Sequence, residues 1–358
     1  MSENGSAPRI AMLLPPREGF APDRAGAIAL VVRRLALASH AAVLGAAQPG
    51  GAYPDIDYTP IAAPPPLGFG LAALRALRRL RPAVIEVHQQ PRLARIIARV
   101  LPQSRVMLFL HNDPQAMRGL RSATARQRSL AFLHQTICVS AYLADRYREG
   151  LTHTERLTVL HNPLTLTDLP PRATQRTREI LFAGRIVENK GVADFIAACA
   201  QALPALPGWS ARIIGGDRFG PASPTTLYVQ TMRDQAAQAG IICAGYQPHE
   251  QVLAAMAQAA LVVVPSRWPE PFGLTALEAM ASGAALIASN TGGLPELVGD
   301  GGLLVPPRDP AQLARAILQL AQDDTARAQR AEAGLAQARL FDTPIIAARL
   351  SALRQASP

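Results

Sequence analysis

Residues 261–283 read LVVVPSRWPEPFGLTALEAMASG, and this stretch predicts a strand, a loop and a helix in succession. The apolar run at its start is typical of a buried parallel strand. A proline-rich loop follows, and a helix is predicted to begin near 273–275. Glu270 lies in the loop and Glu278 on the helix. Because the first N–H groups of a helix have no partner within it, the stretch predicts a site for a diphosphate or sugar hydroxyls.

A second loop contains the only lysine of the chain, since all the other basic residues are arginine. Residues 182–192, FAGRIVENKGV, follow a predicted strand and lead into a helix that is predicted to begin near Gly191. A lysine retained in one loop of an arginine-biased chain indicates a need for a compact, mobile ammonium group. Anions bind at the tip of the first strand of an α/β unit, so we interpret Arg185 and Lys190 as phosphate ligands. Two solvent-exposed cations without a role are the alternative.

Short β-rich runs alternate with helical patterns along most of the chain, which is typical of parallel α/β domains. Helices are predicted, for example, at 71–81 and 91–101. The predicted strands are Ile10–Leu14, Ala41–Leu44, Val84–Val87, Val106–Leu110, Thr136–Val139 and Thr158–Leu160 in the first half, and Ile180–Ala183, Ala211–Ile214, Ile241–Ala244, Leu261–Pro265, Ala285–Ala288 and Leu303–Val305 in the second.

The two series of strands predict two domains. We expect an N-terminal Rossmann-like domain at 1–165, a linker at 166–178, a C-terminal Rossmann-like domain at 179–342, and a terminal helix at 343–358 that packs back on the first domain. Ligands of parallel sheets bind beyond the carboxyl ends of the strands. Two α/β/α domains that face each other would therefore form a cleft for the ligand.

The charge of the chain is concentrated in its first half. Residues 1–170 hold 20 Arg against 11 acidic residues, whereas residues 171–358 hold 16 basic against 15 acidic residues. Such an excess indicates an anionic partner: nucleic acid, an anionic lipid surface or a phosphorylated acceptor. Aromatic residues make up only 5% of the chain and are not interleaved with the arginines. This pattern disfavours a nucleic-acid stacking platform, so we expect no nucleic-acid partner.

Targeting and cysteine usage predict a cytoplasmic protein. The first ten residues lack the apolar core of a signal peptide, and no apolar run reaches the ~20 residues that span a bilayer. Cys138, Cys199 and Cys243 occur singly in apolar segments, as buried thiols in a reducing compartment do. The basic first half would allow peripheral contact with the inner face of the cell membrane.

Three segments, taken together, resemble the C-terminal domain of the family 4 glycosyltransferases. They are GRIVENKGV at 184–192, PSRWPEPFGLTALEAMASG at 265–283 and TGGLPELVGDGGLLVPP at 291–307. The second segment matches the E-x7-E motif of that family. The resemblance is strongest over 178–320 and looser in the first half. It implies the GT-B fold, and transfer of a hexose from a nucleotide-sugar with retention of anomeric configuration.

The resemblance implies a role for individual residues of the donor site. Arg185 and Lys190 would bind the diphosphate of the donor and stabilise the departing nucleoside diphosphate. Glu278 would hold the ribose hydroxyls, and Glu270 would contact the transferred sugar as a catalytic residue. Four consecutive residues would offer mostly backbone contacts to sugar and phosphate: Phe272, Gly273, Leu274 and Thr275.

The looser match in the first half adds His111 and Gly26 to the expected site. His111, in LFLHNDP, follows a strand and would approach the sugar from the opposite domain. Gly26, in PDRAGAIAL, stands where the family usually has two glycines in the N-terminal donor loop, and this chain has one. His88, Ser140 and Asn162 also occupy positions where the family often places such residues.

The implied chemistry is a front-face substitution. The leaving phosphate would accept the proton of the acceptor, while protein cations and a helix N-terminus stabilise its charge. We therefore expect neither a metal nor another cofactor. A nucleophilic carboxylate, as in retaining hydrolases, is the alternative, and the expected commitment of Glu278 to ribose disfavours it. We favour a UDP-sugar as donor, with GDP-mannose next. The expected acceptor is an anionic cell-surface glycan or a lipid-linked saccharide such as lipopolysaccharide core.

Other function classes stay open at this point. A non-catalytic nucleotide-sugar-binding module would bind the donor without transferring the sugar. A GT-B phosphorylase would need a lysine for pyridoxal phosphate, and the sole lysine already occupies a phosphate-site position. The E-x7-E match disfavours a nucleotide-sugar epimerase. An oxidoreductase is disfavoured because GxGxxG follows neither first strand.

Overall fold

The computed structural model describes residues 9–62, 67–218, 220 and 223–356, and the side chain of Leu67 is not described. Within these ranges the chain forms 13 strands and 13 α-helices, and none of those helices has the length and apolar character that crossing a bilayer requires. The contacts divide the chain into two units. One combines the chain up to Pro163 with the segment from Thr343 onward, and the other runs from Leu164 to Asp342.

The first unit is built on a seven-stranded sheet in which every pair of neighbouring strands is parallel. Its strands are β1 (Ile10–Leu13), β2 (Ala42–Ala46), β3 (Tyr58–Ile61), β4 (Val84–His88), β5 (Arg105–Leu110), β6 (Gln135–Cys138) and β7 (Leu157–Val159). The strand order is β3-β2-β1-β4-β5-β6-β7. The order reverses between β1 and β4, which is where open α/β sheets bind ligands.

Six helices belong to the first unit, and the last of them comes from the end of the chain. They are α1 (Ala27–Ser39), α2 (Leu67–Leu80), α3 (Pro91–Val100), α4 (Ala123–Phe132), α5 (Ala141–Arg148) and α13 (Thr343–Gln355). Helix α13 packs against α1. Arg354 of α13 forms an ion pair with Glu86 of β4 at 2.6 Å, and both side chains are buried.

The second unit has a six-stranded parallel sheet of the same design. Its strands are β8 (Thr177–Ala183), β9 (Ser210–Ile214), β10 (Ile242–Gly245), β11 (Ala259–Val264), β12 (Ala285–Ser289) and β13 (Gly302–Val305). The order is β10-β9-β8-β11-β12-β13, so the reversal falls between β8 and β11. The helices are α6 (Val192–Ala202), α7 (Leu227–Gln238), α8 (His249–Gln258), α9 (Leu274–Ala281), α10 (Leu294–Val298), α11 (Pro310–Gln322) and α12 (Asp324–Arg339).

The core of the second unit explains why β11 and β12 read as continuous apolar runs. Every residue of both strands is buried, as is typical of a parallel sheet that is covered on both faces. Helices α6 and α11 contact each other, and their apolar residues pack with those of the central strands. Phe195 of α6 and Ile317 of α11 belong to this cluster. The buried central strands fix the positions at which the loops after them begin.

The sequence predicted twelve of the observed strands and missed β3. This strand, YTPI, lies at the edge of the sheet, and only Ile61 in it is buried. It also contains Pro60, which lacks an N–H group and is therefore confined to edges and strand ends. A short edge strand with one buried residue gives neither the alternating nor the continuous apolar pattern on which the prediction depended.

The structure differs from the predicted linker at 166–178. Residues 166–168 form a short 3-10 turn, and β8 already begins at Thr177. Arg176 donates hydrogen bonds to three backbone carbonyls of the second unit. The segment is therefore part of the second unit. It lacks apolar periodicity because a guanidinium group, not an apolar face, anchors it.

Candidate functional site

The loops after β8 and β11 lie at the carboxyl ends of the strands between which the order of the second sheet reverses. They comprise residues 184–191 and 265–273. Gly191 allows the two loops to approach closely. A Cβ atom at this position would lie 1.8 Å from the carbonyl oxygen of Pro265. Its φ of 72° also lies in the left-handed region that favours glycine. Only glycine therefore permits this close approach.

Arg267 ties the same two loops together with polar contacts. Its backbone N–H donates to the carbonyl of Asn189 at 2.8 Å. Its guanidinium donates to both carboxylate oxygens of Asp194, at 2.7 and 2.6 Å, and lies 3.7 Å from Glu188. Such a bidentate pair is directional as well as charged. Arg267 thus holds the loop that contains Lys190 on both sides of that residue.

Lys190 and Glu270 form the ion pair at the centre of this loop system. The ammonium Nζ lies 2.6 Å from Glu270 Oε1, and the hydroxyl of Ser266 donates to the same oxygen at 2.5 Å. The Glu270 side chain is 7% exposed and that of Lys190 27%. The ring of Trp268 lies 5.7 Å from the ammonium. Because both donors bind Oε1, the other carboxylate oxygen and part of the ammonium remain available to a ligand.

The loop after β12 packs closely against the backbone of Glu270 and donates a hydrogen bond to it. Gly292 has a φ of 61°, and a Cβ atom there would lie 2.3 Å from the Glu270 carbonyl oxygen. The N–H of Gly293 donates to that carbonyl at 2.7 Å. Gly292 and Gly293 lie in the third segment of the sequence resemblance, TGGLPELVGDGGLLVPP. In the structure they fix the acid that the sequence had singled out.

Helix α9 begins with open N–H groups, as the sequence predicted. Gly273 is its N-cap, with a φ of 106°, and no side chain caps the helix. The N–H groups of Leu274 and Thr275 have no hydrogen-bond partner among the described residues. Phe272 is buried and contacts the ring of Phe341 edge to face. The helix start can therefore bind an anion with its backbone.

Glu278 lies one turn into α9 and is buried. Its Oε1 lies 2.9 Å from Nε2 of His249, the first residue of α8. The sequence did not predict a role for His249. It stands 29 residues before Glu278 in the chain, and only the folding of α8 beside α9 brings the two together.

The backbone around Arg185 is held by hydrogen bonds, whereas its side chain makes none with the described residues. The residues on either side of it are held by backbone hydrogen bonds, from Gly184 to Ile214 at 3.0 Å and from Ile186 to Gly216 at 2.7 Å. The guanidinium makes no hydrogen bond or ion pair with the described residues, and the side chain is half-buried. It can therefore bind an anion without breaking an existing contact.

In the first unit, His111 directly follows β5 and is almost fully buried. Its Nε2 lies 2.9 Å from Nδ1 of His88, the last residue of β4. Its backbone N–H donates to the side-chain carbonyl of Gln89 at 2.7 Å. Burial lowers the pKa of His111 to about 3. The imidazole is therefore neutral near pH 7 and can act there only as a hydrogen-bonding group.

Gly26 is the N-cap of α1, and a carboxylate lies beside it. Oε1 of Glu18 accepts the N–H of Ala29 at 3.0 Å, and it would lie 2.6 Å from a Cβ atom at Gly26. Burial raises the pKa of Glu18. The single glycine thus accommodates the Glu18 side chain at the start of the helix.

Two other first-unit residues have structural surroundings of their own. Ser140 caps α5, because its hydroxyl accepts the N–H of Leu143 at 3.1 Å. Asn162 is buried, and its side-chain oxygen has no partner within the described ranges. In the part of the chain that the structure describes, no three His, Cys, Asp or Glu side chains come together as a metal site requires.

Two family models match consecutive parts of the chain. The model of "Glycosyltransferase Family 4" matches residues 28–168, and that of "Glycosyl transferases group 1" matches residues 170–337. The chain belongs to the family 4 glycosyltransferases. The family predicted from the sequence is therefore confirmed.

Curated relatives match about half of this chain. The glycogen synthase of Mycobacterium tuberculosis (strain ATCC 25618 / H37Rv) is 35% identical over 183 residues, which cover 49% of this chain and 42% of the relative. The D-inositol 3-phosphate glycosyltransferase of Corynebacterium glutamicum (strain R) is 34% identical over 195 residues, 51% of this chain and 46% of the relative. The chain thus spans less than half the length of these two relatives.

Solved structures match over nearly the whole chain. Sucrose-phosphate synthase from Thermosynechococcus elongatus has a TM-score of 0.78 at 22% identity and covers 97% of this chain, with 98% of its own chain matched. Anabaena HepE in complex with UDP and glucose has a TM-score of 0.78 at 20% identity, with coverages of 97% and 99%. WaaG, a glycosyltransferase involved in lipopolysaccharide biosynthesis, has a TM-score of 0.68 at 14% identity, with coverages of 97% and 100%. The predicted fold class, two parallel α/β units of GT-B type, is confirmed.

Proposed function

We propose that this protein transfers a hexose from a nucleotide-sugar to an acceptor hydroxyl with retention of the anomeric configuration. The observation that carries the proposal is the ion pair between Lys190 and Glu270, 2.6 Å long, at the reversal of strand order in the second sheet. It combines the only lysine of the chain with a buried acid whose backbone and side chain are both held in place. A surface ion pair without function would not need such support.

The groups of this site suit the parts of a nucleotide-sugar. Lys190 and Arg185 bind the diphosphate, and the open N–H groups at the start of α9 add backbone donors to it. The second carboxylate oxygen of Glu270 accepts a hydrogen bond from a hydroxyl of the transferred sugar. The Glu278 carboxylate accepts hydrogen bonds from the ribose hydroxyls. The backbone of 272–275 lines the sugar and phosphate, and His111 and Gly26 remain assigned to the donor on the strength of the family resemblance.

The proposed chemistry is a substitution in which the leaving phosphate receives the acceptor proton. Negative charge grows on this phosphate as the bond to the sugar breaks. Lys190 and Arg185 stabilise that charge, and one such donor contributes on the order of 2.7–4 kcal/mol to the transition state. Lysine suits the position because its ammonium is mobile and has three N–H donors. It can therefore donate to Glu270 and to the phosphate at the same time.

UDP-sugars are the proposed donors, with GDP-mannose second. The fold shared with HepE, which was solved with UDP and glucose, supports the first choice. We place the reaction in the cytoplasm, where nucleotide-sugars occur together with reduced thiols. Cys138, Cys199 and Cys243 are free cysteines, which fits that compartment.

We propose an anionic glycan or lipid-linked saccharide as acceptor, of the kind found in lipopolysaccharide core, bound at or near the inner face of the cell membrane. The basic first unit supports this proposal. Helices α2 and α3 carry exposed arginines and also exposed apolar side chains. Arg99 of α3 lies over the ring of Phe132, with 4.1 Å between the guanidinium carbon and the ring centroid. Arg126 of α4 is buried and donates to backbone carbonyls, so it does not contribute.

The test starts with nucleotide binding and donor turnover of the whole protein. We expect UDP to raise the unfolding temperature more than GDP or ADP, and the matching nucleotide-sugar to be hydrolysed slowly without acceptor and faster with an anionic glycolipid. Lys190→Ala should lower turnover by about 100- to 1000-fold while the protein stays folded. Lys190→Arg should recover only part of that loss because a guanidinium is planar and less mobile.

A matched control is Arg212→Ala, which removes another cation of the same sheet, one that pairs with Glu179 at 2.7 Å. Its turnover should stay near that of the wild type. Activity of Lys190→Ala within a few-fold of the wild type would contradict the assignment. UDP binding without turnover of any donor would instead favour a non-catalytic binding module. Phosphate-dependent release of the sugar, or interconversion of the donor, would favour a GT-B phosphorylase or epimerase.

A further inference from the structure

His88 and His111 form a buried pair at the carboxyl ends of neighbouring strands. His88 is 0% exposed and His111 is 7% exposed. The two rings lie 5.2 Å apart and nearly parallel, and His88 also stacks on Phe109 at 4.7 Å. His88 is thus enclosed, and its Nδ1 lies 2.9 Å from Nε2 of His111.

One proton must lie between the two rings. Burial lowers the pKa of His111 to about 3 and lowers that of His88 as well, so both imidazoles are neutral near pH 7. A hydrogen bond of 2.9 Å then requires that one ring donates and the other accepts. The choice decides which nitrogen of His111 carries its own proton.

The surroundings of His88 favour His88 as the donor. Its second nitrogen, Nε2, is buried and has no partner among the described residues. If His111 donated, the proton of His88 would lie on this enclosed nitrogen as an unpaired N–H. If His88 donates from Nδ1, the enclosed nitrogen is a bare acceptor. Buried N–H groups without partners are rarer than unpaired acceptors, so the second arrangement is favoured.

The backbone between the two strands supports the same geometry. Gln89 has a φ of 59°, a left-handed conformation that costs free energy for a residue other than glycine. Its N–H donates to the carbonyl of Phe109 at 2.8 Å, and its side chain accepts the N–H of His111. Residues 88 and 89 thus hold the ring and the main chain of His111 respectively.

We propose that His88 is a positioning residue that fixes His111 as the Nδ1–H tautomer, so that His111 presents a hydrogen-bond donor to an oxygen of the transferred sugar. Nδ1 of His111 has no partner within the described ranges and, unlike Nε2 of His88, is not fully enclosed. The contact with the sugar rests on the proposed function. The tautomer does not.

The first test is therefore spectroscopic and needs no substrate. In ¹⁵N-histidine NMR spectra of the whole protein, assigned with His88→Phe and His111→Phe, His111 should be neutral between pH 5 and 8 and protonated at Nδ1. In His88→Phe, which keeps an aromatic ring beside Phe109, His111 should lose this fixed tautomer. A wild-type His111 protonated at Nε2, or a tautomer unchanged in His88→Phe, would overturn the proposal. The wild-type spectrum decides even if His88→Phe fails to fold.

The second test measures donor turnover with the same variants. His88→Phe should lower kcat by roughly 10- to 100-fold, with a small change in KM, because the ligand still binds but meets a misplaced donor. His88→Asn should retain most of kcat, since its amide N–H replaces Nδ1–H. His134→Phe, a histidine next to β6 with no contact to His111, should behave like the wild type.

These two tests separate the inference from the proposed function. A changed tautomer of His111 with unchanged turnover would overturn the role of His88 in catalysis, and with it the contact of His111 with the sugar. An enzyme without any turnover would refute the proposed function, while the wild-type tautomer would still decide whether His88 positions His111.

Discussion

Glu270 receives two donors on a single oxygen. Lys190 and the hydroxyl of Ser266 both bind Oε1, at 2.6 and 2.5 Å, and the other oxygen has no partner among the described residues. Hydrogen bonds to one oxygen of a buried carboxylate fix its direction. At the scale of the residue, Ser266 therefore sets the direction in which the free oxygen of Glu270 points.

Ser266→Ala tests this arrangement. We expect kcat/KM for the donor to fall roughly 10-fold or more, because a hydrogen bond to a charged group contributes about 1.5–3 kcal/mol. Steady-state kinetics with the preferred nucleotide-sugar measures the loss. Ser282→Ala is the matched control. Ser282 is also 1% exposed, but its hydroxyl has no partner within the described ranges. An equal loss in both variants would show that Ser266 acts only through packing.

At the scale of the element, two strand-to-helix loops must touch for the site to exist. The loop before α6 and the loop before α9 meet where Gly191 faces the carbonyl of Pro265. Arg267 adds hydrogen bonds across the same contact. Because the strands before both loops are buried at their carboxyl ends, the loop contact leaves Lys190 and Glu270 little room to move apart.

Gly191→Ala should separate these loops. The added Cβ atom would lie 1.8 Å from the Pro265 oxygen, so the backbone must shift. Gly240→Ala is a close control: Gly240 has a φ of 69° against 72° for Gly191, and nothing lies within 4 Å of its Cβ position. Both substitutions introduce left-handed strain, about 1–3 kcal/mol.

Only Gly191→Ala adds the clash, which should lower the free energy of unfolding by about a further 1–3 kcal/mol. It alone should also weaken UDP binding, because the shift moves Lys190. Urea unfolding and titration with UDP measure the two effects. Equal UDP affinity in the two variants would contradict a link between the loop contact and the site.

At the scale of the whole molecule, the end of the chain completes the first unit. Helix α13 packs on α1, and Arg354 reaches the buried Glu86 in the middle of the first sheet. Arg105 donates to the carbonyl of Arg354 at 2.6 Å. Burial raises the pKa of Glu86, and Arg354 opposes that effect. The last helix is therefore held by a buried charge pair as well as by apolar contacts.

Arg354→Met should destabilise the first unit by about 3–5 kcal/mol, because it leaves Glu86 buried without its partner. Arg349→Met, on an exposed position of the same helix, should change stability by less than about 0.5 kcal/mol. Urea unfolding measures both. Restored stability in the double variant Glu86→Leu, Arg354→Met would show that the unpaired charge is the cause.

The pH dependence of Arg354→Met has a definite sign. Without Arg354, only the effect that raises the pKa of Glu86 remains, so its folded pKa lies further above the unfolded value. A carboxyl group whose folded pKa is raised stabilises the folded state fully at a pH below its unfolded pKa. This contribution to the free energy of unfolding is lost as the pH rises through the folded pKa. The deficit against the wild type should therefore be smallest in acid and grow as the pH rises. A deficit that is independent of pH would refute this account.

The amino-acid sequence by itself determined the strands of the second unit and singled out the residues of its candidate site. Apolar runs predicted its strands, and the open helix start at Gly273 was predicted from the loop before it. The spacing of Glu270 and Glu278 and the presence of a single lysine identified residues that lie at the reversal of strand order. These features are local, because strand and helix patterns and helix starts depend on about 5–18 neighbouring residues.

Only the tertiary structure decided which of these residues meet. Lys190 and Glu270 are 80 positions apart, His249 and Glu278 are 29 apart, and His88 and His111 are 23 apart. Each contact follows from the order of parallel strands and from the helices between them, which local sequence patterns do not encode. A parallel sheet brings the carboxyl ends of its neighbouring strands to one edge. The order of the strands, set by the packing of the whole unit, determines which side chains share that edge.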